Sequence, residues 1–332
     1  MKEKGLVDRM TQYKVLSLVI PCYNCERSIG ELVEKARMVI EKDGRFDYEI
    51  ILVNDGSKDG TWNVLKGLAM ENDKISALNL AQNFGQHNAL MAGYRCVTGD
   101  IVVGLDDDGE HDAADMFKLI DELLEKDYDF VCASYKGEKK NSAFRNLGTK
   151  ANSLMAEVLI GKPKNFIFSS YNVMRRFVVD QIILCTNPYP YIAGLILQVT
   201  SNLGMVELPK HQRKYGDSGY DLRKLLRLWL NGFTAFSVKP LRLATILGMA
   251  TALLGFVYGV VIIINKLANP DVTLVGYSSI MASVLFIGGM VMILLGMIGE
   301  YVGRIYININ SLPQYVVKEK VGGTLWEEKC GI

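Results

Sequence analysis

Two apolar stretches near the C-terminus, Leu243 to Ile264 and Val272 to Gly299, contain no Asp, Glu, Lys or Arg. Each exceeds the roughly 20 residues that cross a bilayer as a helix, so the chain is expected to be an integral membrane protein with a large N-terminal domain outside the lipid. The short connection carries only Lys266 and Asp271, which leaves room for a hairpin and puts both flanks on one side. Lys239 and Arg242 precede the first stretch, and Arg304, Lys318 and Lys320 follow the second. By the positive-inside bias that side is the cytoplasm. The opening residues, MKEKGLVDRMTQYK, hold no apolar run that could serve as a signal peptide. Gly255 with Gly259, and Gly299 with Gly303, have the spacing that lets membrane helices approach closely, so a homo-oligomer is expected.

A formal net charge of +1 with 22% charged residues leaves no basic stripe for nucleic acid. Six cysteines are scattered along the chain, and thiols in a cytoplasmic domain stay reduced. Cys22 and Cys25 make a C-x-x-C, but no second pair stands at metal-binding spacing, so both are read as small apolar fillers beside a strand end.

Upstream of the apolar stretches, short runs rich in branched residues alternate with amphipathic helices. Strands are expected at Val15–Ile20, Tyr48–Val53, Ile75–Leu80, Ile101–Leu105 and Phe130–Ala133, each of the first four running into a turn cluster and then a helical pattern. That alternation implies an α/β fold, a mostly parallel sheet covered on both faces. Ligands of such sheets sit at the carboxyl ends of the strands, which lines up Asp55, Asn83 and Asp106 to Asp108. Residues 134–150 form a basic segment suited to an anion, and Asp221 to Phe236 reads as an amphipathic helix lying in the membrane interface.

Asp106 and Asp108 stand two apart at a strand end, where paired carboxylates can take a hard divalent cation that grips a diphosphate. The ion would neutralise charge on a leaving nucleotide. Asp55 could accept hydrogen bonds from a base or ribose, Tyr23 and Asn24 could flank the same base, and Arg213 could reach the diphosphate with a bidentate contact.

Together these segments resemble the polyprenyl-phosphate branch of the family 2 glycosyltransferases. The residues that carry the resemblance are Val-Ile-Pro-Cys-Tyr-Asn (19–24), Val-Asn-Asp-Gly-Ser (53–57), Asn-Phe-Gly-Gln-His-Asn-Ala-Leu-Met-Ala-Gly (83–93) and Leu-Asp-Asp-Asp (105–108). Arg213 with Gly216, Ser218 and Tyr220, then Pro240-Leu-Arg-Leu and Gly-Glu-Tyr-Val-Gly-Arg-Ile-Tyr (299–306), extend it over nearly the whole chain. The resemblance implies a GT-A fold over residues 1–220, an interfacial helix at 221–240, a transmembrane hairpin at 241–308 and a cytoplasmic tail at 309–332. It implies a nucleotide sugar, UDP-linked, as donor and undecaprenyl phosphate as acceptor at the inner membrane, with inversion and with Mg2+ or Mn2+. Donor contacts are then expected from Pro21, Tyr23, Asn24, Asp55, Asn83, Asp106, Asp107, Arg213 and Ser218, the metal on Asp108 and Glu110, and the acceptor phosphate on Lys136 and Arg145. The catalytic set is Asp106, Asp108, Lys136, Arg145 and Arg213.

The chain departs from the family pattern in places. Glu110 stands where Gln is usual, His111 where Asp is usual, and Phe168-Ser169-Ser170-Tyr171 replaces a segment that in relatives shapes the sugar pocket. His111 is open to two readings, a helix-start residue facing water or a ligand. Two rival functions stay open, a processive polysaccharide synthase and a non-catalytic membrane-anchored binding protein of the same fold. The Gln-x-x-Arg-Trp motif of the first does not occur.

Overall fold

The computed structural model describes residues 13–107, 111–135, 157, 162–164, 166–209, 239–268, 276–309 and 313–322. Asp108, Glu110, Lys136, Arg145, Arg213, Ser218 and the expected interfacial helix lie outside the described residues. The chain divides into two units, one holding residues 1–149, 161–219 and 311–332, the other residues 150–160 and 220–310.

The first unit opens with β1 (Val15–Cys22), α1 (Ile29–Asp43), β2 (Asp47–Asn54), α2 (Thr61–Glu71), β3 (Ile75–Leu80), α3 (Gln86–Tyr94) and β4 (Ile101–Gly104). A short 3-10 turn, Ala113–Asp115, runs into α4 (Met116–Glu125). There follow β5 (Phe130–Tyr135), β6 (Asn172–Arg175), α5 (Arg176–Ile182), α6 (Ile192–Val199), β7 (Leu203–Leu208) and β8 (Val317–Val321). The eight strands form one sheet in the order β7-β5-β6-β4-β1-β2-β3-β8. β4, β1, β2 and β3 are mutually parallel, and β5 is parallel to β7. β6 runs antiparallel to both of its neighbours and β8 antiparallel to β3.

Alternation along the strands divides the core in two. Leu16, Leu18, Ile20, Ile50 and Leu52 pack with Ile29, Val33, Ala36 and Ile40 of α1. Val19, Ile51 and Val53 face the other way, against Ala89, Met91 and Ala92 of α3. α3 lies so close to the sheet that a Cβ on Gly93 would stand 2.4 Å from Val19 Cγ1. Only a glycine lets this helix dock at that depth, so one residue type sets the distance between α3 and the strand ends it serves.

The C-terminal segment expected as a tail contributes β8 to this sheet. Trp62 Nε1 and Lys66 Nζ both donate to the Glu319 carboxylate, at 3.1 and 2.7 Å, and Gln314 donates to the carbonyl of Asn187 at 2.8 Å. The edge of β3 is thereby paired and does not stand as an open row of donors and acceptors.

The second unit contains α7 (Lys239–Ala268) and α8 (Tyr277–Ile309). Thr251 Oγ1 approaches Met290 Sδ at 3.6 Å, so the two helices touch. Leu254, Phe256, Phe286 and Met292 are exposed, the reverse of the sheet unit, where apolar side chains are inside. Within α8, Phe286–Gly303 is long and apolar enough to cross a membrane, while α7 carries a shorter apolar stretch, Gly248–Tyr258. α8 begins later than the apolar run at Val272 and continues past Glu300 and Arg304, because intrahelical hydrogen bonds and not hydropathy decide where a helix stops.

Candidate active site

Parallel register brings the ends of β1, β2 and β3 into line, with Cys22 beside Asn54 and Asn54 beside Asn79. Asn54 Nδ2 donates to Asn79 Oδ1 at 2.8 Å, which ties two of these ends together. Pro21 is tolerated in a central strand because β4 has already ended: its last pair is Val19 with Gly104, so no ladder partner waits for the missing N–H.

The turn after β1 is built by Asn24, whose φ of 53° is left-handed, a conformation asparagine adopts more readily than most residues. Its N–H donates to Ser57 Oγ at 3.0 Å and its Oδ1 accepts from Lys58 N at 2.9 Å, which fastens the β1 turn to the β2 turn. Tyr23, 45% exposed, donates its backbone N–H to Asp107 Oδ2 at 3.1 Å, and this fastens the same turn to the acidic loop after β4. Gln86 Nε2, in the first turn of α3, donates to Asp106 Oδ1 at 2.6 Å. Loops from four strands therefore converge through named contacts, and Tyr23, Asn24, Asp55, Asn83, Asp106 and Asp107 stand on them.

Asp55, expected to accept from a base or ribose, is 3% exposed, and its two oxygens accept from the backbone of Phe84 and Gly85 at 2.7 and 2.9 Å. Burial pushes its carboxyl above the ordinary aspartate range, and the two amides pull it part of the way back. Its carboxylate is a brace for the loop that carries Asn83. The neighbouring Gly56 supports the same loop, since its φ is 62° and a Cβ there would stand 2.4 Å from Asn83 N.

His111 is half-buried, just ahead of the 3-10 turn. Its ring lies between those of Tyr135 and Tyr171, with centroids 5.4 and 5.2 Å away, and its Nδ1 is 2.5 Å from Tyr135 Oη. Its Nε2 reaches Ser170 Oγ at 3.5 Å. Sequence reasoning assigned no part to Tyr135 or to Gln86. The signal for Gln86 was its place at the start of α3, one residue after the loop that Asp55 braces; for Tyr135 it was its place at the end of a strand on the ligand edge.

Cys22 and Cys25 are buried, as expected of fillers, and their sulfurs lie with an Asp107 oxygen in a group whose members are all within 4.8 Å of one another. Burial first, then the contact with Cys25 and the charge of Asp107, raise the Cys22 thiol well above its usual range. Its proton is given to the carbonyl of Ile20 at 3.4 Å.

With this geometry in place, comparison with known proteins is specific. The family described as glycosyl transferase family 2 matches residues 17–183, and the GtrB C-terminal hairpin matches residues 239–305. The undecaprenyl-phosphate 4-deoxy-4-formamido-L-arabinose transferase of Klebsiella pneumoniae (strain 342) is 32% identical over 312 residues, 93% of this chain and 94% of that one. The protein of the same name from Serratia proteamaculans (strain 568) is 30% identical over 318 residues, 95% of this chain and 97% of that one. A crystal structure of glucosyl-3-phosphoglycerate synthase from Mycobacterium tuberculosis, in complex with Mn2+, uridine-diphosphate-glucose and phosphoglyceric acid, shares the fold with a TM-score of 0.50. It is 17% identical, over 71% of this chain and 83% of that one. The mostly parallel GT-A sheet is thus supported, and the reading as a non-catalytic binding protein falls away. The chain is a glycosyltransferase and belongs to glycosyl transferase family 2.

Proposed function

We propose that this chain transfers a sugar from a nucleotide sugar to a polyprenyl phosphate at the cytoplasmic face of the inner membrane, by one in-line displacement with inversion. The observation that carries the reading is the convergence of four loops at the carboxyl edge of the sheet, where Tyr23 is fastened to Asp107, Asn24 to Ser57, Gln86 to Asp106, and Phe84 and Gly85 to Asp55. The two relatives named above, which match almost end to end, are named for transfer to undecaprenyl phosphate, and this supports the acceptor class.

Each part of the site has a role in that reaction. Tyr23 flanks the base of the donor. Asp55 holds the Asn83 loop, and Asn83 with Ser218 contacts the nucleotide. Arg213 takes the diphosphate. Asp106, Asp108 and Glu110 are hard oxygen donors of the kind Mg2+ and Mn2+ prefer; they would hold such an ion, which would supply positive charge against the departing diphosphate. A phosphate monoester is already close to a dianion at neutral pH, so the acceptor needs orientation more than deprotonation, and Lys136 and Arg145 supply it. Both apolar helices cross the bilayer and keep the enzyme at the membrane that carries the acceptor. Purified protein given undecaprenyl phosphate and a panel of nucleotide sugars should release nucleoside diphosphate with one sugar and not without the lipid. Release that is independent of the lipid, or repeated addition to a growing glycan, would overturn the reading in favour of hydrolysis or of processive synthesis.

A further inference from the structure

The buried C-x-x-C at the end of β1 is left unused by the reaction above. We propose that Cys22, Cys25 and Asp107 form a Zn2+ site that staples the β1 turn to the acidic loop after β4. The two sulfurs and one carboxylate oxygen already lie within 4.8 Å of one another. Two sulfurs bound to one tetrahedral zinc at about 2.3 Å stand roughly 3.8 Å apart, a spacing that small side-chain rotations reach from there.

The scaffold under each ligand is fixed by contacts that a bound ion would leave intact. The Cys22 carbonyl accepts from Asp55 N at 2.9 Å, Cys25 N donates to Thr61 Oγ1 at 2.9 Å, and Asp107 accepts from Tyr23 N at 3.1 Å. Asn24, with its left-handed φ, makes the turn between the two cysteines. Such outer contacts orient ligands and are a regular part of metal sites. The donor set also chooses the ion. Two thiolates and one carboxylate suit zinc and not Mg2+, whereas the all-oxygen set of Asp106, Asp108 and Glu110 suits the hard ion. Three protein ligands leave the fourth position to water. Binding replaces two S–H protons, so about two protons leave for each zinc bound.

This zinc site is independent of the transferase reading, and its test needs no turnover. Full-length protein in detergent, reduced with a phosphine and titrated with Zn2+ against a chromophoric chelator, should bind one ion with release of protons. Co2+ in its place should give the near-ultraviolet thiolate-to-cobalt band. Zinc should raise the melting temperature, since it binds the folded chain, and should slow amide exchange at residues 23–25. Cys25→Ser and Asp107→Asn should each weaken binding more than about 100-fold, beyond the loss expected from removing a supporting hydrogen bond alone. If Cys22→Ala fails to fold, those two variants carry the test. Equal zinc binding by the double variant Cys22→Ala/Cys25→Ala, or cobalt binding without a thiolate band, would overturn the site.

Discussion

The four strands at the centre of the sheet and the strands that flank them are assembled by different means. β4, β1, β2 and β3 come from residues 15–104, are joined by short crossovers and run parallel, whereas β6 and β7 arise between residues 172 and 208 and β8 between 317 and 321. The centre carries the loops of Tyr23, Asn24, Asp55, Asp106 and Asp107. The flank carries the aromatic cage of His111, Tyr135 and Tyr171 on one side and the β8 seal on the other. Under the proposed function the labour would divide, with donor binding at the centre, acceptor and sugar recognition on the β5–β6 side, and stability at the β8 edge.

The strongest way to break that division is at the metal. Asp108→Asn should lower transfer by about 100- to 1,000-fold, the usual cost of removing one group that stabilises developing charge, and should weaken donor affinity measured by calorimetry. Near wild-type, metal-dependent turnover would move the ion elsewhere. Next in size is Gly56→Ala. Its added Cβ meets backbone atoms of Gln82 and Asn83 at 2.4 Å, and these cannot rotate aside as a side chain could. Together with a φ of 62°, this should cost about 3 kcal/mol of stability, read from denaturant melts. A variant that melts like the parent would show that the loops after β2 and β3 are less tightly coupled than the structure has them.

The centre was legible in the sequence because each of its strands is an apolar run closed by its own turn signal, as at Ile75–Leu80 before Asn83-Phe84-Gly85. The flank was not. β6, Asn172–Arg175, has only Val173 and Met174 as apolar residues, and it is a strand because β4 and β5 offer it two ladders at once. β8 reads Val-Lys-Glu-Lys-Val, an exposed-looking charged run, and it is fixed by an edge that lies more than two hundred residues away in sequence. Pairings of this separation leave no local mark. At the site, residue types announced Asp106 and Asp107, but whether Asp55 faces a ligand or its own backbone depends on where Phe84 and Gly85 arrive. His111 likewise could not be settled from its neighbours in sequence, since its cage is made by Tyr135 and Tyr171.

On the acceptor side, Arg145→Ala sharpens the comparison. A charge-assisted contact to phosphate is worth about 1.5–3 kcal/mol, so acceptor affinity should fall by roughly 10- to 100-fold while donor affinity holds. Loss of the donor with the acceptor retained would place Arg145 with the central loops.

The smallest effect belongs to the β8 edge. Glu319 holds both Lys66 and Trp62, and hydrogen bonding to Lys66 first, then its charge, lowers the Glu319 carboxyl below the ordinary 4.5. A depressed carboxyl stabilises the fold above its unfolded value, and that contribution is lost as pH falls through the folded one. The pair is exposed and screened, so Glu319→Gln should lower the melting temperature by only roughly 1 °C at pH 7. The difference between variant and parent should shrink towards nothing as pH falls below 4.5 and through the depressed folded value, where the parent's carboxyl takes up its proton. A difference that persists undiminished in acid would mean that Glu319 works through its fit against Trp62 and not through charge, and β8 would then be held by packing and ladder bonds alone.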